Sequence, residues 1–195
     1  MTESKREEND ARPSLGRAFL NRQGFASPIL QAHLIFWSLT AGGITLDLWS
    51  KKAVFDWLSS NYPYGFSIIN GFLGLVIALN DGAAFGIASG QRYFLTAISI
   101  FALIVIFGIF FFSGSKQKSV HIALGLFSAG ICGNLYDRIF NNGLVRDFID
   151  VVYWPGRHWP AFNVADSMLC IGVGLLLISG FLTEQSCRKR ARQHE

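Results

Sequence analysis

The stretch GNLYDRIFNNGLVRDFIDVVYWPGRHWPAFNVADSML, Gly133–Leu169, decides how this chain is read. It begins inside one apolar run and ends inside another, yet it carries four aspartates, three arginines and four asparagines. The chain around it is 51% hydrophobic and only 15% charged. Ionisable groups beside hydrocarbon are costly, so they need either a partner or a task.

Working outward, four runs are long enough for the ~20 residues that cross a bilayer core. They are Leu30–Trp49, Phe94–Phe112, Val120–Phe140 and Asn163–Phe181. Phe94–Phe112 (FLTAISIFALIVIFGIFFF) has no charge on any face, which a soluble helix does not tolerate. A fifth run, Phe66–Leu79 (FSIINGFLGLVIAL), is shorter and carries Gly71 and Gly74, so it reads as interfacial or extended. Basic residues choose between four and five spans. With four spans and the N-terminus in the cytosol, Lys5, Arg6, Arg12, Arg17, Arg22, Lys116, Lys118, Arg188, Lys189, Arg190 and Arg192 lie on the inner side. That is the positive-inside bias expected of four spans with both termini inside; five spans would erase it. Anionic lipid headgroups account for the basic tails, so no nucleic-acid partner is expected. Length suggests one membrane domain, residues 30–184, between a polar arm expected to be disordered (1–29) and a basic tail (185–195). The apolar run continues past Ala41-Gly42-Gly43, so the first span reads as an uncleaved anchor. Cys132, Cys170 and Cys187 have no metal spacing and read as structural thiols.

On this topology the polar residues converge on one membrane face. Asp47, Lys51 and Lys52 end the first span; Asn134, Asp137 and Arg138 end the third; Asn163 and Asp166 open the fourth. Asn80 and Asp81 follow the short fifth run. Asn163 is a good N-cap, and a carboxylate in the first turn gains from the helix dipole. Asp147 sits in a segment rich in aromatics, read as a loop because Pro155 and Pro160 punctuate it. That segment can bring Asp147 against the start of the fourth span. Two facing carboxylates cannot both ionise easily and share a proton, the equipment of an aspartic peptidase. No Ser–His, Ser–Lys or H-E-x-x-H arrangement competes. Other readings stay open residue by residue. Asp47 and Lys51, at i, i+4, form an ion pair serving structure or headgroup anchoring. Asn134 at i can meet Asp137 and Arg138 on one helix face, as a structural knot or as part of a site. Asp150 reads as a solvated spare acid.

The motifs carry a family resemblance. DLWSK at Asp47–Lys51 is similar to D-Q-x-x-K, and NDGAAFGI at Asn80–Ile87 to N-x-G-A-A-F. AGICGNLYDRI at Ala129–Ile139 is similar to G-G-x-x-G-N-x-x-D-R, VRDFID at Val145–Asp150 to V-x-D-F-I, and FNVADS at Phe162–Ser167 to F-N-x-A-D-S. Together, and in this order, they resemble the prolipoprotein signal peptidases (signal peptidase II) of bacterial inner membranes. The resemblance implies an all-α integral membrane protein: four transmembrane helices, a small extracytoplasmic β-cradle over about 53–87, and a lid loop over about 141–162. It implies Asp147 and Asp166 as the catalytic pair. Asn80, Gly82, Asn134, Asp137, Arg138, Asn163, Asp47 and Lys51 would then support or line the substrate site. The implied substrate is a diacylglyceryl-modified prolipoprotein, cut just before its lipidated cysteine, with the site near the periplasmic face and both termini cytoplasmic. No metal or organic cofactor is expected, membrane lipids are the surroundings, and the chain is expected to act as a monomer. Leu48, Trp49, Ala129, Asp81 and the long N-terminal arm depart from the pattern without touching the acidic pair. The alternatives are a small polytopic transporter or assembly factor using paired aspartates for cations or protons, and a protease cutting ordinary transmembrane helices.

Overall fold

The computed structural model describes residues 30–83, 87–115 and 117–192, with side chains as far as Leu182. The N-terminal arm, Ala84, Phe85 and Gly86 of the second motif, Lys116, and the basic side chains of the tail lie outside the described residues. The described chain forms helix α1 (Leu30–Asn61), strands β1 (Phe66–Ile69) and β2 (Leu73–Asn80), and helices α2 (Arg92–Phe112) and α3 (Lys118–Phe140). Strands β3 (Val145–Trp154) and β4 (Arg157–His158) and helix α4 (Val164–Arg192) follow.

α3 is the central helix, packed against α1, α2 and α4. Lipid tails are as apolar as leucine, so helices in a membrane associate through close packing and polar contacts rather than by escaping water. α3 meets this with small residues. A Cβ on Gly130 would lie 2.6 Å from the Ala165 carbonyl oxygen, and one on Gly133 would collide with the Asp47 carboxylate. Only glycine lets α4 and α1 approach that closely at these two points. Nearer the other end, Phe36 stacks on Phe110 at 4.1 Å between ring centroids, within a core that includes Ala32, Ile106 and Leu124. α2 is peripheral, turning Phe101, Ile104 and Phe112 outward. Among the described residues, Arg92–Phe112, Lys118–Phe140 and Val164–Leu182 are long and apolar enough to cross a membrane.

The fold is mixed rather than all-α. Its four strands form one antiparallel sheet in the order β1-β2-β3-β4. Two expectations about it need correction. Residues 53–61 are not part of the cradle but the last turns of α1, which runs unbroken for 32 residues. A helix of that length spans about 48 Å, more than the ~30 Å of bilayer hydrocarbon. An i, i+4 pair, Lys52 to Asp56 at 2.8 Å, sits on the exposed side of this extension, while Leu58 is fully buried. The second correction concerns the segment read as a lid loop. Most of it is β3, ten residues paired along β2. Val145, Ile149, Val151 and Val152 favour a strand, and Pro155 interrupts nothing, because it follows the strand. Pro155 and Gly156 (φ +71°) turn the chain into β4, Pro pre-setting one turn position and Gly taking the left-handed one.

Two details of the sheet position the site. β2 carries an irregularity between Leu75 and Ala78, beside the place where Ala78 pairs with Asp147; such bulges re-aim neighbouring side chains. Phe148 and Ile149 both donate backbone N–H groups to the Phe162 carbonyl, and Phe162 N–H returns to Ile149. The chain entering α4 is therefore pinned along β3, which puts Asn163 beside Asp147.

Candidate active site

At the junction of β2, β3, α3 and α4 lies a cavity of about 950 Å³. Asn80, Gly82, Asn134, Arg138, Asp147 and Asp166 line it, with Leu79, Val145, Trp159, Phe162, Leu169 and Ile171 supplying an apolar wall. Asp147 and Asp166 thus face the same space from two elements remote in sequence.

Asn163 joins them. It is the residue before α4, and its Oδ1 accepts the Asp166 N–H at 3.0 Å while its own N–H donates to Asp166 Oδ2 at 3.2 Å. This reciprocal cap satisfies orphan groups at the helix start. It also decides the orientation of the Asn163 amide: with the oxygen engaged, the NH2 donates to Asp147 Oδ1 at 2.6 Å and to Asn134 Oδ1 at 3.1 Å. Asn80 is fixed in the same way. Its Oδ1 accepts the Gly82 N–H at 2.9 Å, so its NH2 meets Asp147 Oδ2 at 3.0 Å. Each Asp147 oxygen therefore accepts one amide N–H in a site where the residue is 1% exposed. Burial pushes this carboxyl up from its ordinary 3.8 to about 6. The neighbouring Asp166 charge adds to the rise, and the donors on Asn80 and Asn163 and the Lys51 charge oppose it.

Asn134 connects the pair to a buried ionic cluster. Lys51 can only donate, and its Nζ lies 3.0 Å from Asn134 Oδ1. That turns the Asn134 NH2 to Asp166 Oδ1, at 2.8 Å. Lys51 Nζ also lies 2.8 Å from Asp47 Oδ2 and 3.2 Å from Asp137 Oδ2, all three residues being fully buried. Asp47 Oδ1 in turn accepts the Ala165 N–H in the first turn of α4 at 2.8 Å. The Asp47–Lys51 pair suggested by spacing forms, and its complete burial excludes headgroup anchoring for Lys51.

The local knot suggested on α3 is not what forms. Asn134 turns to Lys51, Asn163 and Asp166, and Arg138 donates to the Gly82 carbonyl at 3.1 Å. Asp137 takes Arg146, whose Nε and Nη2 lie 3.0 and 2.6 Å from Asp137 Oδ1 and whose backbone N–H reaches Oδ2 at 3.0 Å. Sequence reasoning does not single out Arg146. The signal for it is Asn142-Gly143, both at positive φ (53° and 89°), a turn that sends β3 back along the end of α3. Asp150 lies apart from the pair, with His158 Nδ1 2.9 Å from its carboxylate. Asp81 accepts the Ser89 hydroxyl at 2.6 Å on the cavity rim.

Similarity to known proteins agrees with this architecture. A family model described as Signal peptidase (SPase) II matches residues 39–182. The lipoprotein signal peptidase of Rhodopirellula baltica is 40% identical over 174 residues, 82% of this chain and 76% of the relative. That of Serratia proteamaculans is 34% identical, over 81% of this chain and 93% of the relative. Two solved bacterial membrane enzyme structures, each 31% identical, superpose with TM-scores of 0.67 and 0.63, covering 83% and 80% of this chain and 94% and 96% of theirs. With a family match over most of its length and relatives this similar along nearly all of the described fold, the chain belongs to the signal peptidase II family.

Proposed function

We propose that this protein removes the signal peptide from prolipoproteins at the membrane surface, with Asp147 and Asp166 as its catalytic pair. The observation that carries the reading is that these two carboxylates line one cavity and are bridged by a single residue, Asn163. Asp147 is the preferred holder of the shared proton, since burial raises it to about 6. Asp166 sits at the positive end of α4 with an N–H donor on each oxygen, the setting of a carboxylate.

The chemistry then follows. Ionised Asp166 takes a proton from a water molecule as the water oxygen attacks the scissile carbonyl carbon. Asp147 donates its hydrogen to the carbonyl oxygen, and a tetrahedral diol forms. Collapse breaks the C–N bond; the amine leaves with a proton from Asp166, the diol returns one to Asp147, and the pair is restored. Asn80, Asn134 and Asn163 hold both carboxylates in place with no change in their own protonation. Arg138, held by the Gly82 carbonyl at the cavity edge, offers its remaining donors to the substrate backbone.

The cavity accounts for a lipid-bearing substrate. Leu79, Phe162, Leu169 and Ile171 form a wall suited to acyl chains, next to the polar floor that does the chemistry. The reading therefore takes a diacylglyceryl-modified precursor cut just before its modified cysteine. It takes α1 as a span in addition to the other three helices, both termini in the cytosol, and the sheet on the periplasmic side, supported by the distribution of basic residues. The chain acts as a monomer surrounded by lipid. The test is cleavage by purified protein of matched precursors with and without the diacylglyceryl group. Cleavage confined to the lipidated form is expected; equal cleavage of both would remove the lipid from the recognition, and cleavage of neither would remove the function.

A further inference from the structure

Arg146 occupies the open second position of the V-x-D-F-I motif, next to Asp147 in sequence but facing away from the cavity toward α3. We infer that Arg146 is a positioning residue for the catalytic pair, acting through Asp137, Lys51 and Asn134. The inference rests on the assignment of Asp147 and Asp166 proposed above.

Lys51 has three N–H donors and three acceptors at contact distance: Asp47 at 2.8 Å, Asn134 at 3.0 Å and Asp137 at 3.2 Å. Two carboxylates and one amide oxygen thus surround one buried ammonium, which has no donor to spare. Arg146 supplies Asp137 with further donors. Its guanidinium takes Asp137 Oδ1 with two N–H groups, and its backbone N–H shares Oδ2 with Lys51. It also makes the cluster neutral, two anions with two cations, where Lys51 alone would leave one negative charge uncompensated. The Asp137 carboxylate is fully buried and the Arg146 side chain is 22% exposed, so water replaces little of this.

Removing the guanidinium leaves Asp137 Oδ1 without a described donor, and a buried unpaired carboxylate draws on the nearest cation. That cation is Lys51. Drawn toward Asp137, it gives up Asn134 Oδ1, which then keeps only the Asn163 NH2 at 3.1 Å to hold the Asn134 amide in place. The donor that Asp166 receives from Asn134 is held by one bond instead of two. The charged groups around the site are Asp47 and Lys51 of α1, Asp81 after β2, Asp137 and Arg138 of α3, and Arg146 and Asp147 of β3. The Arg146 side chain is tied to Asp137, while its carbonyl accepts the Asn163 NH2 at 3.4 Å. Its own strand carries Asp147, so the same pair of bonds also anchors the start of β3 against the end of α3.

The test is Arg146→Gln in the full-length protein, assayed with diacylglyceryl-modified precursor alongside the wild type. kcat falls about tenfold or more, as expected when a reacting group is slightly misplaced, while KM stays within about twofold because Arg146 does not line the cavity. Arg146→Lys restores the charge and recovers much of kcat at unchanged KM. Should Arg146→Gln fail to fold, Arg146→Lys, which keeps the charge but not both guanidinium bonds, shows a smaller fall in kcat, again at unchanged KM. Unchanged kcat in Arg146→Gln, with or without a lower unfolding temperature, would overturn the inference, as would a wild-type kcat in Arg146→Lys where Arg146→Gln does not fold. A wild type that fails to cleave would instead sink the assignment of function, leaving the two failures distinct.

Discussion

Asn163 and Asp166 cap one another across the first turn of α4, each accepting the other's backbone N–H. The helix start and the active site are thus built from the same two bonds. A substitution that keeps the cap but removes the charge separates the two roles. An amide at position 166 retains a side-chain oxygen for the Asn163 N–H but cannot accept a proton from water. Asp166→Asn is expected to unfold within about 1 kcal/mol of the wild type while cleavage falls by about a thousandfold or more. Thermal unfolding in detergent and a precursor-cleavage assay read the two separately. Cutting within tenfold of wild type would remove Asp166 from the catalytic pair.

Asp147 gives a pH dependence with a definite sign. Its carboxyl lies near 6 in the folded protein against an ordinary 3.8, so between those values the fold binds a proton that the unfolded chain releases. Stability from this group is fully present below about 3.8 and is lost as pH rises through about 6, a loss of at most about 3 kcal/mol. Asp147→Asn abolishes cleavage and also removes this dependence. Between pH 5 and pH 7.5 the unfolding temperature of the wild type should fall more than that of Asp147→Asn. Parallel curves for the two proteins would show that Asp147 is not held protonated by its surroundings.

Lys51 and Lys52 are neighbours with opposite expectations, though each pairs with an aspartate at i, i+4 and 2.8 Å. Lys51 is fully buried between Asp47 and Asp137, whereas the Lys52 side chain is 74% exposed. Lys51→Met leaves two buried carboxylates without their shared cation and should destabilise the protein by about 3–5 kcal/mol. Lys52→Met breaks a pair that water already screens and should leave unfolding unchanged. Denaturant or thermal unfolding of the two variants side by side makes the comparison.

What can be read from the sequence follows from local rules. The charge-free run now in α2, the N-cap at Asn163 and the Asp47–Lys51 spacing all depend on residues within a turn or two of one another. The readings that fail depend on partners far away. β3 is a strand because Leu73–Asn80, more than sixty residues earlier, lies beside it; taken alone, its aromatics and the following Pro155 resemble a loop. Asp137 reads as part of a knot on its own helix because Asn134, three residues before it and four before Arg138, can meet both. Its guanidinium partner comes instead from Arg146, after the chain has turned at Asn142 and Gly143. The meeting of Asp147 and Asp166 is legible only as one conformation open to the loop. The bonds between Phe162 and β3 that bring them together involve backbone groups, which no side-chain pattern records.

Asp150 tests whether the acid at position 147 is the right choice, because both lie on β3 only three residues apart. Asp150 accepts no bond from Asn80, Asn134 or Asn163; its described partner is His158, on the neighbouring strand, with the imidazole 55% exposed. It lies outside the lining of the large cavity and beside a smaller one of about 310 Å³ formed with β1 and β2. An amide at position 150 keeps an oxygen that can accept from the His158 ring. Asp150→Asn is therefore expected to cleave precursor within about twofold of wild type, and to lose no more than about 1 kcal/mol of stability, the worth of an ion pair near the surface. Loss of cleavage in a folded Asp150→Asn protein would mean that the reacting carboxylate on β3 is Asp150, and the cavity bounded by Asn80 and Asp166 would no longer be the place where the peptide bond is cut.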